Sequence, residues 1–124
     1  MNVVDSSAWL EYFADGPGAD AFAAAIEDTA SLLVPSITVL EVFKRVLQQR
    51  DEGAALRCVG VMQQGRVVDL DVSLALEAAV AGARHRLPLA DSVVFATARR
   101  ANAELWTQDA DFEGLPGVRY VPKR

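Results

Sequence analysis

Val3-Val4-Asp5-Ser6-Ser7-Ala8-Trp9 is the stretch from which the fold can be read. Two β-branched residues make a short strand, and an Asp and two Ser follow at once. Such residues start helices, because a short oxygen-bearing side chain satisfies the free N–H groups of a first turn. Ser6 or Ser7 is expected to cap a helix that runs through Trp9, Leu10 and Phe13, which leaves Asp5 spare at the end of the strand. A strand that passes straight into a helix begins a crossover unit, and parallel strands need such crossovers.

The same alternation continues along the chain. Asp15-Gly16-Pro17-Gly18 is a break, and the Ala-rich segment from Ala19 to Glu27 is helical. Leu32-Leu33-Val34 is a second strand, stopped by Pro35. From Thr38 to Gln49, Leu40, Phe43 and Leu47 recur at helical spacing, and so do Val39, Val42 and Val46. Glu52 to Gln64 predicts a further helix, and Val67-Val68-Asp69-Leu70 a third strand. Ser73 to His85 reads as a helix capped by Asp71 or Ser73, and Pro88 precedes another from Leu89 to Asn102. Leu105-Trp106-Thr107 and Val118-Arg119-Tyr120-Val121 close the series as strands. Strands separated by helices predict an α/β fold: a mainly parallel central sheet with helices on both faces, residues 1–124 forming one domain.

Composition bounds the function. A hydrophobic fraction of 52% in 124 residues fills one core and argues against disorder. No run approaches the roughly 18 apolar residues of a membrane span, and the start lacks the basic and apolar regions of a signal peptide. The single Cys58 can form no internal disulfide, which fits the cytosol. With only His85, neither a Ser-His-Asp triad nor a multi-His zinc site is expected. The net charge of −5 argues against a broad basic platform for nucleic acid. It does not exclude a nuclease, because cations in an acidic cleft invert the local field.

Four acids stand in or beside apolar segments: Asp5, Glu41, Asp91 and Asp109. A carboxylate near a core is costly unless compensated. Asp5 and Asp109 follow strands, so both point to the crevice outside the carboxyl ends of a parallel sheet. Each acid also has a plainer use. Asp5 can cap a helix, Glu41 can pair with Lys44 or Arg45, Asp91 can sit at a helix start, and Asp109 and Asp111 can form a turn. If the four converge, they repel one another and call for a hard cation such as Mg²⁺ or Mn²⁺.

Their order in the chain resembles the PIN domain, and within it the VapC-type toxins of toxin–antitoxin pairs. The likeness rests on four stretches: Val3 to Trp9, Val34-Pro35-Ser36-Ile37-Thr38-Val39-Leu40-Glu41-Val42, Leu87-Pro88-Leu89-Ala90-Asp91-Ser92-Val93-Val94-Phe95-Ala96-Thr97-Ala98, and Leu105-Trp106-Thr107-Gln108-Asp109-Ala110-Asp111-Phe112. Trp106 departs from the smaller aliphatic residue usual there. The resemblance implies a three-layer PIN-like fold and a Mg²⁺- or Mn²⁺-dependent endoribonuclease that leaves a 5′-phosphate and a 3′-hydroxyl. It also implies Asp5, Glu41 and Asp91 as the main ligands, Asp109 completing the set and Asp111 in reserve. Ser6 and Thr107 would orient carboxylates or water. The implied partners are RNA, a small antitoxin and a second copy in a homodimer. Two other classes compete. A phosphoaspartyl receiver or phosphatase lacks its second acid where Ser7 stands, and its late Lys is only Lys123. An inactive PIN-like interaction module is expected to have lost an acid, and none is missing.

Overall fold

β1 (Asn2–Val4) is the middle strand of a five-stranded sheet, and its side chains show how the layers are built. The computed structural model describes residues Met1–Arg124. Val3 enters one apolar cluster with Leu33, Phe95, Leu105 and Phe112. Val4 enters the other, with Trp9, Phe22, Val34, Val42 and Met62. Successive strand residues face opposite sides, so a three-residue strand serves two cores. β2 (Leu32–Pro35) does the same, with Leu32 and Val34 on one face and Leu33 on the other. In β4 (Glu104–Thr107), Leu105 and Trp106 divide likewise. Burial on both faces explains why these strands read as apolar runs without polar alternation.

The sheet order is β3-β2-β1-β4-β5, where β3 is Arg66–Val68 and β5 is Val118–Tyr120. Every pairing is parallel, so "mainly parallel" becomes wholly parallel. α1 (Ser6–Phe13), α2 (Ala19–Glu27), α3 (Ser36–Gln49) and α4 (Glu52–Met62) supply the core on the Val4 side. α5 (Val72–His85) and α6 (Leu89–Arg100) cover the Val3 side. The chain moves outward from β1 to β2 to β3, then returns past β1 to β4 and β5. The reversal falls between β1 and β4, and ligands of open parallel sheets bind at such a switch point.

Several boundaries differ from expectation for identifiable reasons. α3 begins at Ser36, because Pro35 occupies its N-cap and the buried Thr38 hydroxyl donates to the Pro35 carbonyl at 2.7 Å. Of its two apolar stripes, the core takes Val42 and Val46, and Leu40 and Leu47 stay 61% and 43% exposed. α5 starts at Val72, capped by Asp71, whose carboxylate accepts from the Leu74 N–H at 2.8 Å. β3 lies at the sheet edge and stops at Val68, so Asp69 and Leu70 fall outside it. α4 ends at Met62, two residues early, and α6 at Arg100. Asn102, beyond α6, takes a left-handed conformation that Asn tolerates well. Cys58 is half-buried and packs against the core. No helix is long and apolar enough to cross a membrane.

Candidate metal centre

Asp5 is fixed from both sides at the carboxyl end of β1. Its N–H donates to the Trp106 carbonyl of β4 at 3.1 Å, which ties it to the switch point. Its side chain caps α1, accepting from the Ala8 N–H at 3.1 Å. This corrects the expectation that Ser6 or Ser7 is the cap and Asp5 spare. Asp5 has an extended backbone, which aims its carboxylate along the helix, whereas Ser6 is already the first helical residue. The cap leaves capacity unused. Ser7 Oγ donates to Oδ1 at 2.8 Å and lies 3.0 Å from Oδ2, and a carboxylate offers about four lone-pair sites. Asp5 is 2% exposed. Burial lifts its pKa to about 6, against the lowering hydrogen bonds from Ser7, Ala8 and Thr107, and the charge of Asp109 adds to the rise.

Glu41 lies on α3 and is half-buried. The ion pairs offered by helical spacing do not form: the two salt bridges of the chain are Arg100–Glu77 and Arg119–Glu104. Glu41 Oε1 is buried with no hydrogen-bond partner. Its pKa is raised by burial, opposed by the nearby Ser6 hydroxyl and reinforced by Asp109. An acceptor in that condition calls for a cation or a proton.

Asp91 stands in the first turn of α6, half-buried. Its pKa is pushed up to about 7, first by burial and then by the charges of Asp109, Asp5, Glu41 and Asp111 in that order. The other four acids singled out in the sequence, Asp109, Asp5, Glu41 and Asp111, thus all raise the pKa of Asp91.

Asp109 follows β4 by two residues. Its N–H donates to the buried Thr107 hydroxyl at 2.9 Å, and its Oδ1 accepts from the Asp111 N–H at 2.9 Å. That bond opens one 3₁₀ turn, Ala110–Phe112, pinned by the fully buried Phe112. The turn folds Asp111 back beside Asp109. One carboxylate oxygen each of Asp91, Asp109 and Asp111 lies within 4.8 Å of the others. This close group therefore contains the reserve residue Asp111, and Asp5 and Glu41 are not among its members. Oxygen-only donors, mutual repulsion and the orphaned Glu41 oxygen fit a hard divalent cation.

Sequence reasoning missed Ser7 as the residue that holds the Asp5 carboxylate. The signal was the Asp-x-Ser spacing, which sets the Ser7 hydroxyl beside the Asp5 carboxylate. The Ser6 hydroxyl lies near Glu41. His85 packs edge-on against Phe95, with centroids 5.2 Å apart, and Arg86 ends α5 in a left-handed conformation.

A family model described as PIN domain matches residues 3–118. No curated protein matches the chain. Among solved structures, a toxin–antitoxin complex from Klebsiella pneumoniae is 22% identical, with a TM-score of 0.80 and 96% of each chain covered. Mycobacterium tuberculosis VapC20, described as a sarcin–ricin loop cleaving toxin, is 19% identical, with a TM-score of 0.81, covering 98% of this chain and 100% of its own. A DNA-bound VapBC from Salmonella typhimurium is 17% identical, with a TM-score of 0.73 and coverage of 98% and 97%. At these identities the likeness is one of fold.

Proposed function

This chain belongs to the PIN domain family, and from that premise we propose that it is a metal-dependent endoribonuclease, the toxin of a toxin–antitoxin pair. The observation that carries the proposal is the carboxylate cluster of Asp91, Asp109 and Asp111, with oxygens within 4.8 Å of one another, together with Asp5 at the end of β1 and the unpartnered Glu41 oxygen. Asp91, Asp109 and Asp111 would hold a Mg²⁺ or Mn²⁺ ion, with Asp5 and Glu41 completing the acidic shell. Bound there, the ion supplies neutralising charge for a phosphodiester and a nucleophilic water at neutral pH.

The protein's part is placement. Ser7 and the Ala8 N–H lock the Asp5 carboxylate in one orientation. Thr107 fixes the backbone of Asp109, and the 3₁₀ turn presents Asp111 beside it. Glu41 keeps one buried oxygen without a hydrogen-bond partner, free to meet a cation. The route uses no histidine. The family likeness implies that water attacks phosphorus and the 3′ oxygen leaves, which gives a 5′-phosphate and a 3′-hydroxyl. The solved structures similar in fold include toxins bound to their antitoxins, which supports a small antitoxin as partner. The homodimer and the cytosolic site of action implied by the family belong to the same proposal.

The test is brief induction of the chain alone, followed by sequencing of RNA ends, and then co-expression with an adjacent small gene. Growth arrest, new 5′-phosphate ends and rescue by the partner are expected. Purified chain that leaves all RNA intact in Mg²⁺ and in Mn²⁺ refutes the nuclease.

Ser7→Ala provides a finer check. Losing the hydroxyl that orients a ligating carboxylate is expected to weaken metal affinity or cleavage about 10- to 100-fold, with Ser7→Thr restoring most of it. Equal rates in Ser7→Ala and the parent would remove Ser7 from the site.

A further inference from the structure

We propose that the groove beside the acidic cluster, between α1, the end of α3 and the C-terminal residues, seats the phosphate backbone of the RNA next to the cleaved bond. The inference rests on the nuclease reading and names how that same site holds its substrate. The groove has a volume of about 650 Å³ and is lined by Arg45, Arg50, Lys123 and Arg124. Four of the twelve Lys and Arg of an acidic chain thus face one depression, and Glu11 is the only acid among its lining residues. Glu11 is already engaged, accepting from the Gly18 N–H at 3.0 Å.

None of the four cations makes an ion pair within the chain. Arg45 decides the matter best. Helical spacing offers it to Glu41 at i+4, yet it lines the groove and leaves Glu41 unpaired. An exposed arginine with no acidic partner is available to phosphate oxygens, which its planar fork matches bidentately. Ser6 and Ser7 also line the groove. Ser7 bonds the Asp5 carboxylate, so this end of the groove adjoins the acidic site, although the acids of that site do not line it. A strand whose scissile phosphate lies at the carboxylates would place neighbouring phosphates against these cations. The net charge of −5 therefore conceals a local basic track.

The experiment uses the full chain in EDTA, so that binding is read without cleavage. A fluorescent mixed-sequence single-stranded RNA is titrated by anisotropy at several salt concentrations, and a poly-glutamate peptide of similar charge is run in parallel. Arg45→Ala/Arg50→Ala is expected to bind RNA roughly tenfold more weakly at low salt, alike for different sequences. Its salt dependence should be shallower by about 1.4 in log–log slope, about 0.7 for each lost phosphate contact. Arg45→Lys/Arg50→Lys should recover most of the slope. In Mg²⁺ the alanine variant should show a raised KM with kcat largely kept.

An alanine variant with unchanged RNA affinity and slope overturns the proposal, even if the parent cleaves RNA. Poly-glutamate that binds as tightly as RNA and loses as much in the variant also overturns it, in favour of an acidic peptide site. RNA that binds and depends on the arginines but is never cleaved supports the groove and refutes the nuclease. A parent chain that binds no RNA in EDTA refutes the groove, and cleavage in Mg²⁺ then judges the nuclease separately.

Discussion

Asp5→Asn is expected to abolish metal-dependent RNA cleavage, by roughly 10³-fold or more, while making the metal-free chain more stable at neutral pH. Removing one preorganised charge-stabilising donor from an active site already costs about 10²–10³ in rate, and here a full charge is removed from the acidic shell. The fold should survive. The Asn carbonyl still accepts from the Ala8 N–H, and the Ser7 hydroxyl can turn to suit the amide. The gain in stability follows from linkage. Asp5 titrates near 6 in the folded chain against 3.8 for the free group, so folding disfavours its charged form. That difference is worth roughly 3 kcal/mol at pH 7, at about 1.4 kcal/mol per pH unit. Asn carries no such penalty. Thermal melts in EDTA and cleavage assays in Mn²⁺ check the two halves separately. Wild-type cleavage by Asp5→Asn would show that Asp5 takes no part in the reaction. An unfolded variant would show that its cap matters more than its charge.

The second large effect is a stability that falls with pH and is restored by metal. Asp5 and Asp91 are raised from 3.8 to about 6 and about 7, and Glu41 is raised as well. Raised carboxylates bind protons more tightly in the folded chain. Their contribution is fully present below about pH 4 and is lost as pH climbs through 6 and 7. Metal-free melting temperatures should therefore decline between pH 4 and pH 8. A divalent ion replaces the protons, so its effect should be larger at pH 8 than at pH 5. At a hundredfold excess over its dissociation constant the gain is about 2.7 kcal/mol, or about 10 °C for a chain of this length. Calorimetry with and without Mn²⁺ at the two pH values measures it. A metal-free stability that rises from pH 4 to pH 7, or a metal shift equal at both, would contradict a shared carboxylate site.

Both effects depend on how the acids are held, and that is where sequence and structure part. The alternation of short apolar runs with longer helical ones determined the parallel α/β architecture. Local chemistry suffices there: β-branched runs, Asp and Ser at helix starts, Gly and Pro at breaks. Val3 and Val4 facing opposite cores follow from the two-residue period of any strand. The presence of four acids beside apolar segments was legible too, and the order of the motifs named the family.

Tertiary structure decided the rest. Whether Asp5 or a serine caps α1 depends on where the chain leaves β1, and that is set by the bond from Asp5 N–H to Trp106, about a hundred residues away. Whether Glu41 pairs with Arg45 depends on what else surrounds each side chain. The helix offers the spacing, but the cleft and the groove draw the two apart. Asp111 joins Asp91 and Asp109 because a 3₁₀ turn, anchored by Phe112 in the core, folds it back. The stripe of α3 that becomes core is chosen by the sheet it meets, since both stripes have helical period. Propensity and pattern act over a few residues and are written in the sequence. Pairing between side chains distant in sequence is written only when the sheet brings β1 and β4 side by side.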